Sequence, residues 1–260
     1  MEIYAQGFNV KVKPDDSPVT EADMVAERLI VQGLQAAFPD IPIVAEEMCA
    51  AGAQPKAGPL FFLVDALDGT KEFVAQRSEF TVNIALIADG QPYFGIVYAP
   101  ASNSLYVTVA PDSAGYADVS PRALTEMEGL ELSDIAVLKP IHVRAWPDRK
   151  PVALASRSHK DERTDAFLKQ NGIEDRMSFG SSLKFCQLAA GAADIYPRFG
   201  PTMEWDTAAG HAVLSAAGGA VVTPQGAPFH YGKTDLNFKN GAFIAASVSG
   251  LNQLQFEAEG

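Results

Sequence analysis

A chain of 260 residues that is 47% hydrophobic and 20% charged has the composition of a globular enzyme and not of a disordered one. Its formal net charge of −12 excludes bulk binding to nucleic acid or to an anionic membrane surface, so an anionic ligand would need local cations or metal ions to invert the field. Cys49 and Cys186 cannot make a disulfide framework and fit a reducing cytosol, and no signal peptide or membrane-spanning run is visible, so a cytoplasmic protein is expected.

Thr20 reads as the N-cap of a helix with Glu21 and Asp23 in its first turn. Val25, Leu29, Ile30 and Leu34 give that helix an apolar stripe, which ends before Pro39. Ile41 to Ala45 is a short strand that delivers Glu46 and Glu47 at its end. Pro59 to Val64 is a buried strand opened by a Gly-Pro breaker. Phe80 to Ala88 and Tyr93 to Tyr98, turning through Asp89-Gly90, form a β-hairpin, and Ser104 to Val109 extends the sheet. Pro111 to Pro140 is acidic and weakly patterned; it reads as a surface excursion. It also marks the boundary between an N-terminal lobe, 1–140, and a C-terminal lobe, 141–260, of one integrated domain. Beyond it come a strand, Val152 to Ser156, and a helix, Asp161 to Asn171, stopped by Gly172. Ser181 or Ser182 caps a helix carrying Phe185, Leu188 and Ala189. Ala193 to Phe199 is a strand, Asp206 opens an Ala-rich helix to Ala217, and Gly218-Gly219 stops it. Strands near Ala220 to Thr223 and Ala242 to Ser247 complete an α/β mixture.

The strand at Val64 stops abruptly at Asp65-Ala66-Leu67-Asp68-Gly69-Thr70. Two carboxylates so close together repel each other and lose hydration, so they call for a metal or a base. Hard divalent cations take oxygen ligands of this kind, Gly69 lets the backbone approach a ligand, and Thr70 offers an orientable hydroxyl. From this segment alone, a polar turn with an aspartate capping the next element is equally open. Acids recur at the ends of elements: Asp23, Glu46, Glu47, Asp65, Asp68 and Asp206. Converging, they make a multi-metal site; dispersed, they are solvated ends. No His-x-x-x-His or Cys-x-x-Cys pattern competes, which disfavours zinc and favours magnesium.

Gly180-Ser181-Ser182-Leu183-Lys184 combines backbone N–H groups, two hydroxyls and a lysine, a set that suits an anion. A serine cap with a solvent-facing Lys184 is the commoner meaning of such a segment. Arg198 stands between surface residue and phosphate clamp, and His159 between a base-stacking ring and a neutral loop residue. Phe8, Trp146 and Tyr231 read as packing residues and Trp205 as a shield for Asp206. Neither cysteine has a neighbouring base that would make it a nucleophile.

In this order the pieces resemble the lithium-sensitive, magnesium-dependent phosphatase superfamily of inositol monophosphatases and fructose-bisphosphatases. Its signature Asp-Pro-(Ile/Leu)-Asp-Gly-Thr is matched by Asp65 to Thr70, and Trp-Asp-x-Ala-Ala-Gly by Trp205 to Gly210. Ala45-Glu46-Glu47 and the run Ser17 to Asp23 belong to the same pattern. Lys71-Glu72-Phe73, Glu79 to Ile87, Gly180 to Cys186 and Tyr196 to Thr202 are similar to 3′(2′),5′-bisphosphate nucleotidases of the CysQ type. The resemblance runs from about Ser17 to Ser247. It implies a layered α/β/α/β/α sandwich with the site between the lobes. The activity it implies is removal of the 3′-phosphate of adenosine 3′,5′-bisphosphate to leave AMP, with the sulfated nucleotide as a further substrate.

Position by position, the resemblance makes Glu46, Asp65, the Leu67 carbonyl, Asp68 and Asp206 the ligands of Mg2+, two or three ions to a site. Asp23, Glu46 and Thr70 would align the attacking water in a direct in-line hydrolysis. The Gly69 and Thr70 amides would meet the phosphate. Ser181, Lys184 and Arg198 would grip the nucleotide, and His159 would lie against the adenine. The implied partner is a small nucleotide bisphosphate and not a nucleic-acid polymer; a homodimer is left open. Some relatives attach peripherally to the inner membrane, which nothing in these residues indicates. The rival readings are an inositol-phosphate or fructose-bisphosphate phosphatase with the same metals, and a non-catalytic nucleotide sensor. Two departures stand out. Ala66 replaces the usual proline, which leaves the turn freer and predicts weaker metal affinity. The segment before Ser17 is short, with Met1 to Tyr4 resembling the tail of a helix, which predicts an exposed apolar seam.

Overall fold

A computed structural model describes residues 1–6, 10–12, 18–125, 138–148, 150–156 and 161–257. A short helix, α1 (Glu2–Gln6), precedes an antiparallel pair, β1 (Val10–Val12) and β2 (Pro18–Thr20), which runs straight into α2 (Glu21–Ala37). Tyr4 of α1 packs on Phe73 and Phe80, with ring centroids 5.1 and 5.2 Å away. Thr20 caps α2 as expected: its hydroxyl accepts the Ala22 N–H at 3.1 Å, and the Asp23 carboxylate reaches back to the Thr20 N–H at 2.7 Å. The apolar stripe is rotated from the one expected. Ile30, Val31 and Leu34 pack inward, whereas Leu29 is 61% exposed. The rotation buries Asp23 and Glu27, and Glu27 accepts the Glu47 and Met48 N–H groups at 2.6 and 2.8 Å. Those amides open α3 (Glu46–Ala50), where a carboxylate offsets the positive end of the helix.

The large sheet has seven strands in chain order, β3 (Ile43–Ala45), β4 (Leu60–Asp68), β5 (Thr81–Ala88), β6 (Gln91–Ala99), β7 (Ser104–Ala110), β8 (Ser113–Asp118) and β9 (Lys139–Ile141). The first pair is parallel and the rest form an antiparallel meander. Between the strands stand α4 (Thr70–Val74) and α5 (Pro121–Thr125). The hairpin turns at Asp89 and Gly90, whose φ of 50° and 75° are the pair of positive angles that a tight hairpin turn needs. β8 and β9 correct the expected surface excursion, for both strands lie within it or overlap its end. Their inward residues are as small as Ala114 and Ala117, so burial leaves little hydrophobic contrast in the sequence. The rest of that segment, 126–137, lies outside the described residues.

The second sheet holds β10 (Val152–Ser156), β11 (Asp175–Phe179), β12 (Ile195–Arg198), β14 (Gly219–Val222) and β16 (Phe243–Ser247), in the order β11-β10-β12-β16-β14. β11 was not expected; it is an edge strand with four of its five residues exposed, Asp175 and Arg176 among them. A two-stranded ribbon joins β13 (Thr202–Met203) to β15 (Lys239–Asn240). The helices are α6 (Glu162–Gln170), α7 (Leu183–Ala189), α8 (Ala208–Ala216) and α9 (Val248–Leu251).

Period-two burial divides each sheet into two faces. Phe62 and Val64 of β4 meet α2, while Phe61 and Leu63 face α7 and α8 in a cluster that also takes in Phe243 and Ala245 of the second sheet. The outer face of that second sheet, with Ile195 and Ile244, packs on Phe167 and Leu168 of α6 and Leu251 of α9. The layers are therefore α/β/α/β/α, as the resemblance implied. Close contact in the middle layer depends on Gly95, where a Cβ would lie 2.4 Å from the Ala209 carbonyl oxygen.

Candidate metal and phosphate site

The end of β4 carries an irregularity. Asp65 pairs with Asn83 and Asp68 with Thr81, so β4 spends one residue more than β5 across this stretch. In an unbroken strand, side chains three positions apart face opposite ways; the extra residue brings Asp65 and Asp68 to one side. Asp65 Oδ1 accepts the Leu67 N–H at 2.9 Å, which holds the bulge. Gly69 follows with φ of 91°, and a Cβ there would lie 3.1 Å from the Glu79 carbonyl oxygen, so the turn requires glycine.

Thr70 opens α4 and joins this end of β4 to α2. Its hydroxyl lies 3.0 Å from Asp23 Oδ1 and 3.2 Å from the Leu67 carbonyl oxygen. The other oxygen of Asp23 takes the Thr20 N–H and hydroxyl, both at 2.7 Å, so the carboxylate is fixed from both sides. The expected Asp23–Thr70 pair is thus in contact.

Three elements deliver one acidic cluster. Glu46 begins α3, Asp65 stands at the bulge of β4 and Asp206 lies in the turn before α8; one carboxylate oxygen from each lies within 4.8 Å of the others. Burial holds the Asp65 carboxyl well above the usual carboxylate range, reinforced by Glu46, Asp68 and Asp206 and opposed by the Leu67 amide. Asp206 is pushed up to about 8, first by burial and then by Asp68 and Glu46, while the Met203 N–H and Arg198 pull it back. Negative groups gathered in this way retain protons or take a cation. The donors are all oxygen, with neither histidine nor cysteine among them, and that set fits a hard divalent cation. Glu47, also singled out, gives its backbone N–H to Glu27.

In the second loop, Ser182 and not Ser181 occupies the N-cap position of α7. Ser181 has φ of 47°, in the left-handed region, and its buried Oγ has no partner among the described residues. Lys184 is not solvent-facing: it is 3% exposed, its ammonium bonds the carbonyls of Ser181 at 2.6 Å and Phe179 at 3.3 Å, and it lies 5.4 Å from the Tyr196 ring centroid. Arg198 is half-buried and donates to the Pro201 carbonyl at 2.9 Å, and to the Tyr196 hydroxyl. Its charge is felt by Asp206 and Asp68. His159 lies outside the described residues, as does Phe8. Trp205 is buried and packs on Phe238, while Tyr231 is buried and bonds His211 and Thr207. Burial, Glu27 and Glu46 push the Cys49 thiol up to about 11, and burial also raises Cys186, so neither is an activated nucleophile.

Ser182 and Asn83 were missed by sequence reasoning as site residues. The Ser182 N–H donates to Asp68 Oδ2 at 2.6 Å, and the Asn83 amide donates to Ser182 Oγ at 2.9 Å. From sequence Ser182 reads as a cap or as one of two hydroxyls facing an anion, not as a partner of Asp68. The available signal was Asn83 itself, a carboxamide within the apolar run from Val82 to Ile87.

Comparison with known proteins agrees with this geometry. The sequence profile of the inositol monophosphatase family matches residues 1–253. The 3′(2′),5′-bisphosphate nucleotidase CysQ of Escherichia coli O157:H7 is 44% identical over 233 residues, 89% of this chain and 87% of the relative. CysQ of Buchnera aphidicola is 39% identical over 251 residues, 95% of this chain and 88% of the relative. Among solved structures, CysQ from Bacteroides thetaiotaomicron is similar with a TM-score of 0.70 and 35% identity, covering 90% of this chain and 86% of that one. With the two motifs folded onto a shared acidic cluster and the likeness running through nearly the whole sequence, the chain belongs to the inositol monophosphatase family.

Proposed function

We propose that this chain is a magnesium-dependent 3′(2′),5′-bisphosphate nucleotidase. It hydrolyses the 3′-phosphate of adenosine 3′,5′-bisphosphate to AMP and phosphate, and accepts the sulfated nucleotide as well. The observation that carries the reading is the convergence of Glu46, Asp65 and Asp206 within 4.8 Å. The 44% identity to a CysQ nucleotidase supports the choice of substrate within the family.

Glu46, Asp65, Asp68, Asp206 and the Leu67 carbonyl would hold the cations, and magnesium suits this all-oxygen set. When bound, such ions neutralise charge on the phosphate and make water a better nucleophile. The chain's own residues do the positioning, which is most of what phosphoryl transfer demands. Asp23 is the fixed acceptor: Thr70 donates its hydroxyl proton to Asp23, which leaves the Thr70 oxygen to accept a proton from the attacking water. Glu46 borders the same water. The Gly69 and Thr70 amides meet the phosphate at the start of the turn. Lys184 spends two of its three N–H groups on carbonyls, and the third serves the nucleotide together with the Ser181 hydroxyl, which has no partner among the described residues. Arg198 brings positive charge to the same mouth. His159, outside the described residues, is assigned to the adenine by the resemblance alone.

No helix among the described residues is long and apolar enough to cross a membrane. The free thiols of Cys49 and Cys186 support a reducing cytoplasm as the compartment. The assignment is tested by following adenosine 3′,5′-bisphosphate with magnesium by 31P NMR, where AMP and inorganic phosphate are the expected products. Loss of the 5′-phosphate, or equal rates on inositol 1-phosphate and fructose 1,6-bisphosphate, contradicts it. Tight nucleotide binding without phosphate release is the signature of a sensor.

A further inference from the structure

The geometry points to Ser182 as a positioning residue that sets the distance between the two halves of the metal site, working with Asn83. The inference rests on the metal-site reading above. Ser182 and Asn83 are 2% and 1% exposed, so neither is a surface hydroxyl or amide bonded to water by default. Three segments meet at the Ser182 hydroxyl. Its oxygen accepts the Asn83 side-chain N–H at 2.9 Å, from the strand beside β4. It also lies 2.6 Å from the Asp206 carbonyl oxygen and 3.0 Å from Asp68 Oδ2. A hydroxyl has one proton to give. Asp68 Oδ2 already receives the Ser182 N–H at 2.6 Å, so the hydroxyl proton goes to the nearer oxygen, the Asp206 carbonyl.

Ser182 is therefore a strut. Its amide holds Asp68, on the large sheet, and its hydroxyl holds the backbone of Asp206, in the turn before α8. Asp68 and Asp206 belong to different halves of the chain, and Ser182 comes from a third segment between them. Asn83 fixes the direction of the hydroxyl by occupying its lone pair. The strut holds in place two carboxylates that would otherwise repel each other, before any cation arrives. Replacing Ser182 by alanine leaves the Asn83 amide and the Asp206 carbonyl without this partner in a buried place.

The test is Mn2+ binding to the metal-free 260-residue chain, followed by electron paramagnetic resonance, for the parent, Ser182→Ala and Ser182→Thr. Outer groups that orient metal ligands are typically worth about 10–100-fold in affinity, and Ser182→Ala is expected to lose that much. Ser182→Thr, which keeps the hydroxyl, is expected to recover most of it. At saturating Mn2+ the nucleotide KM of Ser182→Ala is expected to stay within about twofold of the parent, because the reading above gives the nucleotide to Ser181, Lys184 and Arg198 and not to Ser182. Parental Mn2+ affinity in Ser182→Ala overturns the inference, including when the variant unfolds earlier in EDTA, since that makes the strut structural only. If Ser182→Ala does not fold, Asn83→Ala removes the donor to the same oxygen and is read by the same outcomes. A parent chain that binds no Mn2+ overturns the metal-site reading itself, and this inference with it.

Discussion

Two buried carboxylates, Glu204 and Asp65, are treated in opposite ways. Glu204 is 0% exposed and fully provided for: it accepts the Gly232 and Lys233 N–H groups at 2.7 and 2.9 Å, and the Lys233 ammonium at 3.1 Å. Lys233 is in turn held by the Asn240 side-chain oxygen at 3.2 Å and lies 4.7 Å from the Phe229 ring centroid. Asp65 is also buried, with the Leu67 amide as its hydrogen-bond donor and Glu46, Asp68 and Asp206 as its charged neighbours. A buried charge without a counter-charge is expensive, and chains normally pair it. Here the fold balances Glu204 with a lysine, whereas the charges that act on Asp65 come from three other acids, an arrangement that suits a cation. The contrast identifies the site more firmly than acidity alone, because both places are acidic.

The comparison can be broken most visibly at Asp68. Asp68→Asn is expected to cut turnover on the nucleotide by orders of magnitude with an unchanged circular dichroism spectrum; near-parental turnover contradicts the assignment. Next comes stability. Glu204→Ala leaves the Lys233 ammonium unpaired and is expected to lower unfolding free energy by about 3–5 kcal/mol in urea. Asp65→Asn is expected to do the reverse in EDTA, stabilising the metal-free chain by relieving repulsion, while weakening the response of Tm to magnesium. Equal losses in both variants would erase the distinction between the two acids.

A smaller effect is expected from pH. Asp206, pushed up to about 8, and Asp65, also raised, bind protons more tightly in the folded chain than in the unfolded one. Their contribution to stability is complete below the ordinary carboxylate pKa, about 4, and is lost as pH rises through the folded value. Tm in EDTA is therefore expected to fall between about pH 5 and pH 8 from these groups. With magnesium the cation replaces the protons, so stabilisation by metal is expected to grow over the same window. A metal-free Tm that is flat or rising there contradicts the account. The smallest effect belongs to Ala66→Pro. Restoring the stiffer turn is expected to lower the magnesium needed for half-maximal rate by about two- to fivefold.

Local signals carried much of the fold. Thr20 as a cap and the Asp89-Gly90 turn are written in residues a few positions apart, whereas β4 runs on past the end of its apolar run at Val64, through the bulge to Asp68. What was not legible depends on partners far away in the chain. Leu29 turns outward because Glu27 is needed inward to cap α3. β8 and β11 escaped notice because one is half alanine and glycine and the other lies exposed at an edge. Within the site, the acids at element ends were visible, but spacing cannot say whether ends meet; the resemblance supplied that, and the cluster of Glu46, Asp65 and Asp206 agrees with it. Ser182 was indistinguishable from its neighbour Ser181 until the backbone turned one toward Asp68.

The most direct test of the account is phosphate release from adenosine 3′,5′-bisphosphate across a magnesium titration, with inositol 1-phosphate run beside it. Release is expected to be negligible in EDTA, to rise with magnesium and to saturate, at rates far above those on the inositol ester. Undiminished release in EDTA would contradict the claim that the clustered acids of this chain work by holding a cation.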